Sequence, residues 1–545
     1  MLEREEIARR EIGVTVISRR CSQFLSIFFL LSVFMVPVIQ LAIDKGPGFE
    51  LSLAASGSNA EGSWTGRLVH GNREILRTID LLERDLEDRS FLRTLFLPPL
   101  QFFFTKYLGQ GNEQVVSGRN GQLFFRPAVD YLVGPPFLHK DRLQQRLQGH
   151  EIWEEPVFPD PIQSIRTFAG QLALRDIDLV VVPVPVKAAV RPTPLLLENV
   201  DGPLVNRSWN SFVEQLENSG AQVFDIRELL HDFETASGSA YLATDTHWSP
   251  AAVKLVAGRL AEFLEERYEN LGGNDAYRFH RLEVSGIGDL HRMLRLPEKW
   301  PLFSGETVEI EQVLTATGAF WQPDRNSPVL LLGDSYTNIY SSPGLAMGTG
   351  SGLAEHLSAS LQRPVDLLAR NDDGAFSSRE MLATELRRGR DRLAGKRVVV
   401  WEFSERELAF GNWKNTDITL GKPQNSDFFL VPPGESMNIQ ATIADISSSP
   451  RPGTIPYRDN IVTVHLVDLK SEKIAENINQ ALVYGFGMRD NLMTPLATLR
   501  PGDRVSMTLF SWEEKETEYG SYRRTSLDDD MIELELPNWG VINED

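Results

Sequence analysis

Cysteine is nearly absent from this chain: its 545 residues contain one, Cys21. That excludes an intrachain disulfide framework and a multi-cysteine zinc site. Basic residues are also in deficit. Lys and Arg number 55 against 75 Asp and Glu, a formal charge of −20, which argues against a nucleic-acid partner because phosphate binding needs a basic face. No internal repeat of fixed period is present. Asp372-Asp373-Gly374 lacks the rest of an EF-type calcium loop.

The remaining composition is that of a folded globular protein, with 42% hydrophobic and 24% charged residues. The length calls for two or more domains. From Cys21 to Ile43 there is no charged residue, and Arg4, Arg9, Arg10, Arg19 and Arg20 precede the run. As a helix this segment would be about 35 Å long, enough to cross a bilayer. The arginines put the N-terminus in the cytoplasm and everything after about residue 44 outside. A cleaved signal peptide is the rival reading. It is opposed by the length of both the basic and the apolar stretch and by the lack of a small-x-small site.

Residues 45–70 are rich in Gly, Ser and small residues and read as a linker, and 71–110 reads as largely helical. Helices are expected over Pro161–Arg175, capped by Asp160, and over Trp209–Ser219, Pro250–Arg267, Leu353–Leu361 and Ser378–Arg388. Buried strands are expected at Asp178–Pro185, Ala221–Ile226, Val329–Leu332 and Val398–Phe403. This alternation predicts an α/β fold with a parallel sheet and Rossmann-type layering. After about Trp413, short strands and Pro-Gly turns replace helical periodicity, which predicts a small β-sandwich-like domain. The expected organisation is a basic cytoplasmic stretch over 1–20, an anchor over 21–43, linker and helical residues over 44–110, the α/β domain over 111–412 and the β-rich domain over 413–545.

Two short segments carry chemistry. Leu331-Leu332-Gly333-Asp334-Ser335-Tyr336 places a serine just after a buried strand, where open α/β sheets hold their ligands. In isolation it reads first as a turn that ends the strand. Thr244-Asp245-Thr246-His247-Trp248 holds an Asp and a His two residues apart. A serine hydroxyl becomes nucleophilic when an imidazole takes its proton and a carboxylate fixes that imidazole's tautomer. The competing reading is an incidental histidine ahead of the helix opened by Ser249-Pro250. Asp289-Leu290-His291 has the same Asp-x-His spacing, so spacing alone leaves His247 and His291 both open. No second histidine or carboxylate cluster at ligand spacing lies beside His247, so no metal is expected, and no cofactor.

Together these residues resemble the SGNH-hydrolase-like polysaccharide O-acetyltransferases of the alginate AlgX/AlgJ type. Asp245-Thr246-His247-Trp248 resembles that family's Asp-x-His element, which favours His247, and Gly333-Asp334-Ser335-Tyr336 resembles its nucleophile element. Val182-Pro-Val-Pro-Val-Lys187 and Gly118–Phe125 resemble two of its early segments, over a likeness covering roughly residues 110–410. The resemblance implies an SGNH-hydrolase-like fold with Ser335 as nucleophile, His247 as base and Asp245 as its orienter. It places Asn371 and Gly374 in a loop near the active site, with Tyr336, as oxyanion or substrate-binding residues. It likens Trp401-Glu402-Phe403 with Arg406 to the family's last strand and turn. It further implies a polysaccharide acceptor, a multi-pass membrane partner that supplies acetyl, and a single-pass inner-membrane protein facing the periplasm. A carbohydrate esterase with the same triad and a non-catalytic glycan-binding scaffold of the envelope are the alternatives.

Overall fold

The computed structural model describes residues 18–43, 91–149, 157–196, 202–297, 299–371, 374–422, 428–450, 457–471, 478–499, 501–527 and 531–543, with the single positions 452, 455 and 529. The chain divides into two compact units, Met1–Leu100 and Gln101–Asp545. In the first, a 25-residue helix spans Arg19–Ile43, over the stretch expected to form an anchor. Among the described residues, however, no helix is long and apolar enough to cross a membrane. The side chains at 32–34 and 36–43 lie outside those residues, as do the expected basic stretch before residue 18, the linker over 45–70 and the helical reading over 71–90. The unit boundary falls within a helix over Phe91–Leu108.

The second unit begins with a short hairpin of β1 (Val115–Ser117) and β2 (Leu123–Phe125). β3 (Asp178–Val184) and β4 (Gln222–Val223) follow, then an antiparallel hairpin of β5 (Tyr277–Gly286) and β6 (Glu306–Thr315). β7 (Val329–Gly333), β8 (Asp366–Ala369) and β9 (Val398–Ser404) complete a five-stranded parallel sheet in the order β4-β3-β9-β7-β8. Side chains alternate across the strands. Val180, Val182 and Val184 enter one core with residues of the helices Pro250–Glu265 and Leu353–Leu361. Leu179 and Val181 enter a second core with the helices Pro161–Ala173, Trp209–Glu217 and Gly374–Arg387. Two-sided burial explains the unbroken apolar runs of these strands. The expected caps form: Asp160 accepts from the N–H groups of Ile162 and Gln163, and Ser249 from that of Ala252.

The C-terminal strands correct an expectation. β10 (Ser436–Ile446), β11 (Asn460–Lys470), β12 (Gln480–Arg489), β13 (Leu492–Met493), β14 (Arg504–Ser511), β15 (Arg524–Thr525) and β16 (Pro537–Ile542) do not form a sandwich. β12, β16, β14, β10 and β11 pair in sequence, and β11 pairs back onto β12, closing a small barrel. Closure rests on register shifts in β10 and β11, which coil the sheet, and on the final strand, which inserts between β12 and β14. Small residues permit that insertion: a Cβ on Gly540 would lie 2.4 Å from Val483 Cγ1 and 2.7 Å from Met507 Cε. Single strands and their turns do not distinguish an open sheet from a closed one. Within the stretch after Trp413 expected to hold short strands, Ile532–Leu534 forms a short 3-10 turn instead.

Candidate active site

Strand β7 ends at Gly333, and the chain turns at once into a four-residue helix, Ser335–Asn338. Only glycine fits the turn. A Cβ at 333 would lie 2.3 Å from Thr337 Oγ1 and 2.7 Å from Thr337 Cβ. Asp334 caps the helix, its Oδ1 accepting from the Tyr336 N–H at 2.7 Å, and its Oδ2 accepts from the Ser404 N–H at 3.1 Å at the end of β9. Ser335 thus stands at the C-terminal edge of the parallel sheet. Its own N–H, at the first helical position, has no intrahelical acceptor.

The loop Ala243–Trp248 faces it. Glu306, at the start of β6, accepts from the N–H groups of Ala243 and Thr244 at 2.6 and 2.7 Å. Buried Lys187 Nζ donates to the carbonyls of Leu123 and Ala243 at 2.8 Å each and to that of Asp245 at 3.4 Å. Burial draws the Lys187 ammonium down to about 7, against the opposing pull of Glu306 and Asp245. Tyr336 donates its hydroxyl to the Thr246 carbonyl at 2.9 Å, and Tyr340 donates to that of Trp248 at 2.7 Å.

These supports bring the three expected residues into line. His247 Nε2 lies 2.9 Å from Ser335 Oγ, and His247 Nδ1 lies 2.6 Å from Asp245 Oδ1. All three are at most 5% exposed. Asp245 is fixed in turn: Oδ1 also accepts the His247 N–H and Oδ2 accepts the Asp289 N–H, both at 2.9 Å. Burial opposes the imidazolium of His247, but the charges of Asp245, Asp289 and Asp334 outweigh it and raise the pKa above that of an ordinary histidine. For Asp245, burial pushes upward, yet the His247 charge and the hydrogen bonds hold the carboxyl well below the usual range.

The second Asp-x-His segment does not supply the base. His291 donates only its backbone N–H, to the Thr244 carbonyl at 3.3 Å, and its ring lies edge-on to Phe303. Asp289 does reach the site: it accepts from the Thr246 N–H at 2.8 Å and from the Thr246 hydroxyl at 2.5 Å. Its approach needs Gly288, where a Cβ would lie 2.1 Å from the Thr244 carbonyl oxygen. Asp245, His247 and Asp289 each offer a metal-ligating atom, all within 4.8 Å of one another. Those atoms are already engaged by the imidazole, by backbone N–H groups and by Thr246.

The site opens into a cleft of ≈ 320 Å³ lined by Ser335, His247, Asp334, Asn371, Gly374 and Arg406, among others. Asn371 is held on three sides. Its Oδ1 accepts from Asn338 Nδ2 at 2.8 Å, its N–H donates to the Ser521 carbonyl at 3.1 Å, and its own carbonyl accepts the Tyr457 hydroxyl. Gly374 opens its helix at φ +65°, in the left-handed region, with Glu407 Oε2 only 2.3 Å from where a Cβ would be. Tyr336 is 2% exposed and is not among the residues lining this cleft.

Lys187 and Glu306 act largely through backbone groups and leave no local spacing to recognise, whereas Asp289, marked by its spacing to His291, supports the other Asp-x-His segment through Thr246. Glu402, noted only as part of a strand, accepts from the Asp334 N–H at 3.1 Å and the Thr337 hydroxyl at 2.7 Å. Burial and the neighbouring Asp334 push its carboxyl well above the usual range.

A buried serine, imidazole and carboxylate in hydrogen-bonded series at the edge of a parallel sheet define an SGNH-hydrolase-like site equipped for acyl chemistry. The sequence agrees: residues 141–405 match the family described as SGNH hydrolase-like domain, acetyltransferase AlgX. Among solved structures, the O-acetyltransferase domain of Pseudomonas putida AlgJ is similar at 24% identity, over 55% of this chain and 93% of that one, with a TM-score of 0.41. Pseudomonas aeruginosa AlgX is 13% identical, over 78% and 90%, with a TM-score of 0.38. Bacillus cereus PatB1 is 11% identical, over 56% and 99%, with a TM-score of 0.31. A comparison with curated protein sequences finds no match.

Proposed function

We propose that the protein is a polysaccharide O-acetyltransferase working through a Ser335 acetyl-enzyme. Ser335 Oγ attacks the acetyl carbonyl while His247 Nε2 accepts its proton. The tetrahedral intermediate collapses as His247 returns that proton to the leaving group. A glycan hydroxyl, deprotonated by the same imidazole, then attacks the acetyl-enzyme and releases Ser335. Asp245 holds the imidazole in the tautomer that presents Nε2 and offsets its charge. The Ser335 N–H stabilises the oxyanion, the kind of donor that contributes about 3–4 kcal/mol, and Asn371 and Gly374 line the space where the substrates meet.

One observation carries this reading: the 2.9 Å and 2.6 Å contacts that join Ser335, His247 and Asp245 in series. The acetyltransferase family of residues 141–405 supports transfer to a sugar over release to water. The apolar run at 21–43 and the arginines before it support a single-pass anchor with the rest of the chain outside the cytoplasm; the resemblance to the AlgX/AlgJ type supports an inner-membrane protein facing the periplasm, with acetyl delivered by a multi-pass membrane partner.

The test is product analysis with Ser335→Ala and His247→Ala. Both variants are expected to remain folded and to abolish net acetyl gain on the glycan in cells. Acetate release without glycan acetylation by the unaltered protein would make it an esterase. Unchanged acetylation in both variants would make it a non-catalytic scaffold.

A further inference from the structure

The helix Phe91–Leu108 has its polarity inside out. Phe96, Leu100, Phe103, Phe104 and Tyr107 recur at the spacing of one helical face. All five are exposed, Phe103 by 49% and Tyr107 by 63%. The opposite side carries Gln101 and Thr105, one turn apart and each only 6% exposed. Their polar atoms are engaged within the protein. Gln101 Nε2 donates to Thr105 Oγ1 at 2.9 Å and to the Gly111 carbonyl at 3.1 Å, and Thr105 Oγ1 donates to the Gln110 carbonyl at 2.9 Å. A helix that faces water has the reverse arrangement.

The charge and the rim of this face fit lipid. From Phe91 to Leu108 there is no acidic residue, in a chain of formal charge −20, while Arg93 and Lys106 are basic. Lys106 Nζ lies 5.1 Å from the ring centroid of Phe102 and 5.4 Å from that of Tyr107. Half-exposed Trp300 joins the helix from another segment, its ring centroid 5.4 Å from that of Phe102. Trp, Tyr and Lys at the edge of an apolar face are what a protein presents at the membrane–water boundary. A contiguous exposed apolar patch marks an interaction surface.

We propose that this helix lies in the surface of a bilayer, its apolar face among the acyl chains and Lys106 against anionic headgroups. Its 18 residues, two of them charged, suit lying along a bilayer rather than crossing it. Residues 44–90 separate it from the apolar run at 21–43, so an anchored chain already holds it near lipid; that context rests on the anchor reading given under Proposed function. A second copy fits less well. It would set Lys106 against a helix without an acidic partner, between chains of like net charge. The contact also bears on the reacting serine. Just beyond the helix, Asn112 Nδ2 donates to the Met293 carbonyl at 2.8 Å, and Met293 lines the Ser335 cleft.

The test uses the full chain in vesicles of phosphatidylethanolamine and phosphatidylglycerol. Cys21→Ser removes the native thiol. A fluorescent probe is then attached at Tyr107→Cys or, as a control, at Leu492→Cys, an exposed position on β13. Doxyl-labelled lipids are expected to quench the Tyr107 probe about fivefold more than the Leu492 probe. Phe103→Glu with Phe104→Glu, both facing outward, should keep the melting temperature and remove most of that quenching. Equal quenching at the two positions, or quenching indifferent to the glutamates, would overturn the proposal. So would a Tyr107 probe shielded without lipid in proportion to protein concentration, which is the sign of a second copy. Alkaline carbonate extraction tests the anchor separately. A chain that is extracted yet quenched at Tyr107 would sink the anchor and leave the helix on lipid; a chain that resists extraction but is unquenched there would do the reverse.

Discussion

At the scale of single residues, the ionisation of His247 sets the pH behaviour of the proposed mechanism. The base must be neutral to accept a proton, and its pKa is raised above the ordinary 6.5 by the surrounding carboxylates. The acid limb of kcat/KM is thus expected above pH 6.5, and Asp289→Asn, which removes one of those charges, should move it downward while lowering kcat modestly. An acid limb that ignores Asp289→Asn would contradict this assignment of causes. Linkage gives the sign for stability. A histidine whose pKa is raised by folding stabilises fully below its unfolded pKa, and that contribution is lost as pH rises through the folded value. For Asp245, depressed by folding, the contribution is present above the unfolded carboxyl pKa and lost as pH falls through the folded value.

At the scale of elements, the turn from β7 into Ser335–Asn338 has one permissible side chain at 333. Gly333→Ala drives a methyl into Thr337 and is expected to cost about 1–3 kcal/mol. Because the strain falls on the turn that carries Ser335, kcat should fall more than the melting temperature alone suggests. Unchanged turnover in a folded variant would show that the turn tolerates the shift. Elements of this kind were the most legible in the sequence. Val329–Leu332 and Asp178–Pro185 announced buried parallel strands because both faces are covered, and Asp160 and Ser249 announced helix starts by their capping chemistry. The β5–β6 hairpin was not legible, because its faces are largely exposed and its pattern mixes charge with apolar residues along the strands. The closing of the barrel was hidden for a different reason: it depends on bulges and on Gly540 meeting Val483, contacts between strands far apart in sequence.

At the scale of the whole molecule, the barrel domain takes part in the cleft beside Ser335. Tyr457 and Ser521 hold the backbone of Asn371, and Tyr457 itself lines the space. Tyr457→Phe removes the hydroxyl without changing ring packing, so a several-fold loss of kcat/KM with little change in melting temperature is expected. Equal activity would leave the barrel without a positioning role at that point. Asp245, His247 and Ser335 were visible in the sequence because each lies in a short segment with its own local chemistry. The residues that hold them, Lys187, Glu306, Asp289 and Glu402, come from four separate segments and converge only through the fold.

The central claim is that Ser335 carries the acyl group, and the most direct measurement is peptide mass analysis of protein quenched during turnover of an activated acetyl ester. One acetyl group on the peptide containing Ser335 is predicted, absent in Ser335→Ala and accumulating more slowly in His247→Ala. Acetyl found on another residue, or turnover by Ser335→Ala at the rate of the unaltered protein, would contradict the account.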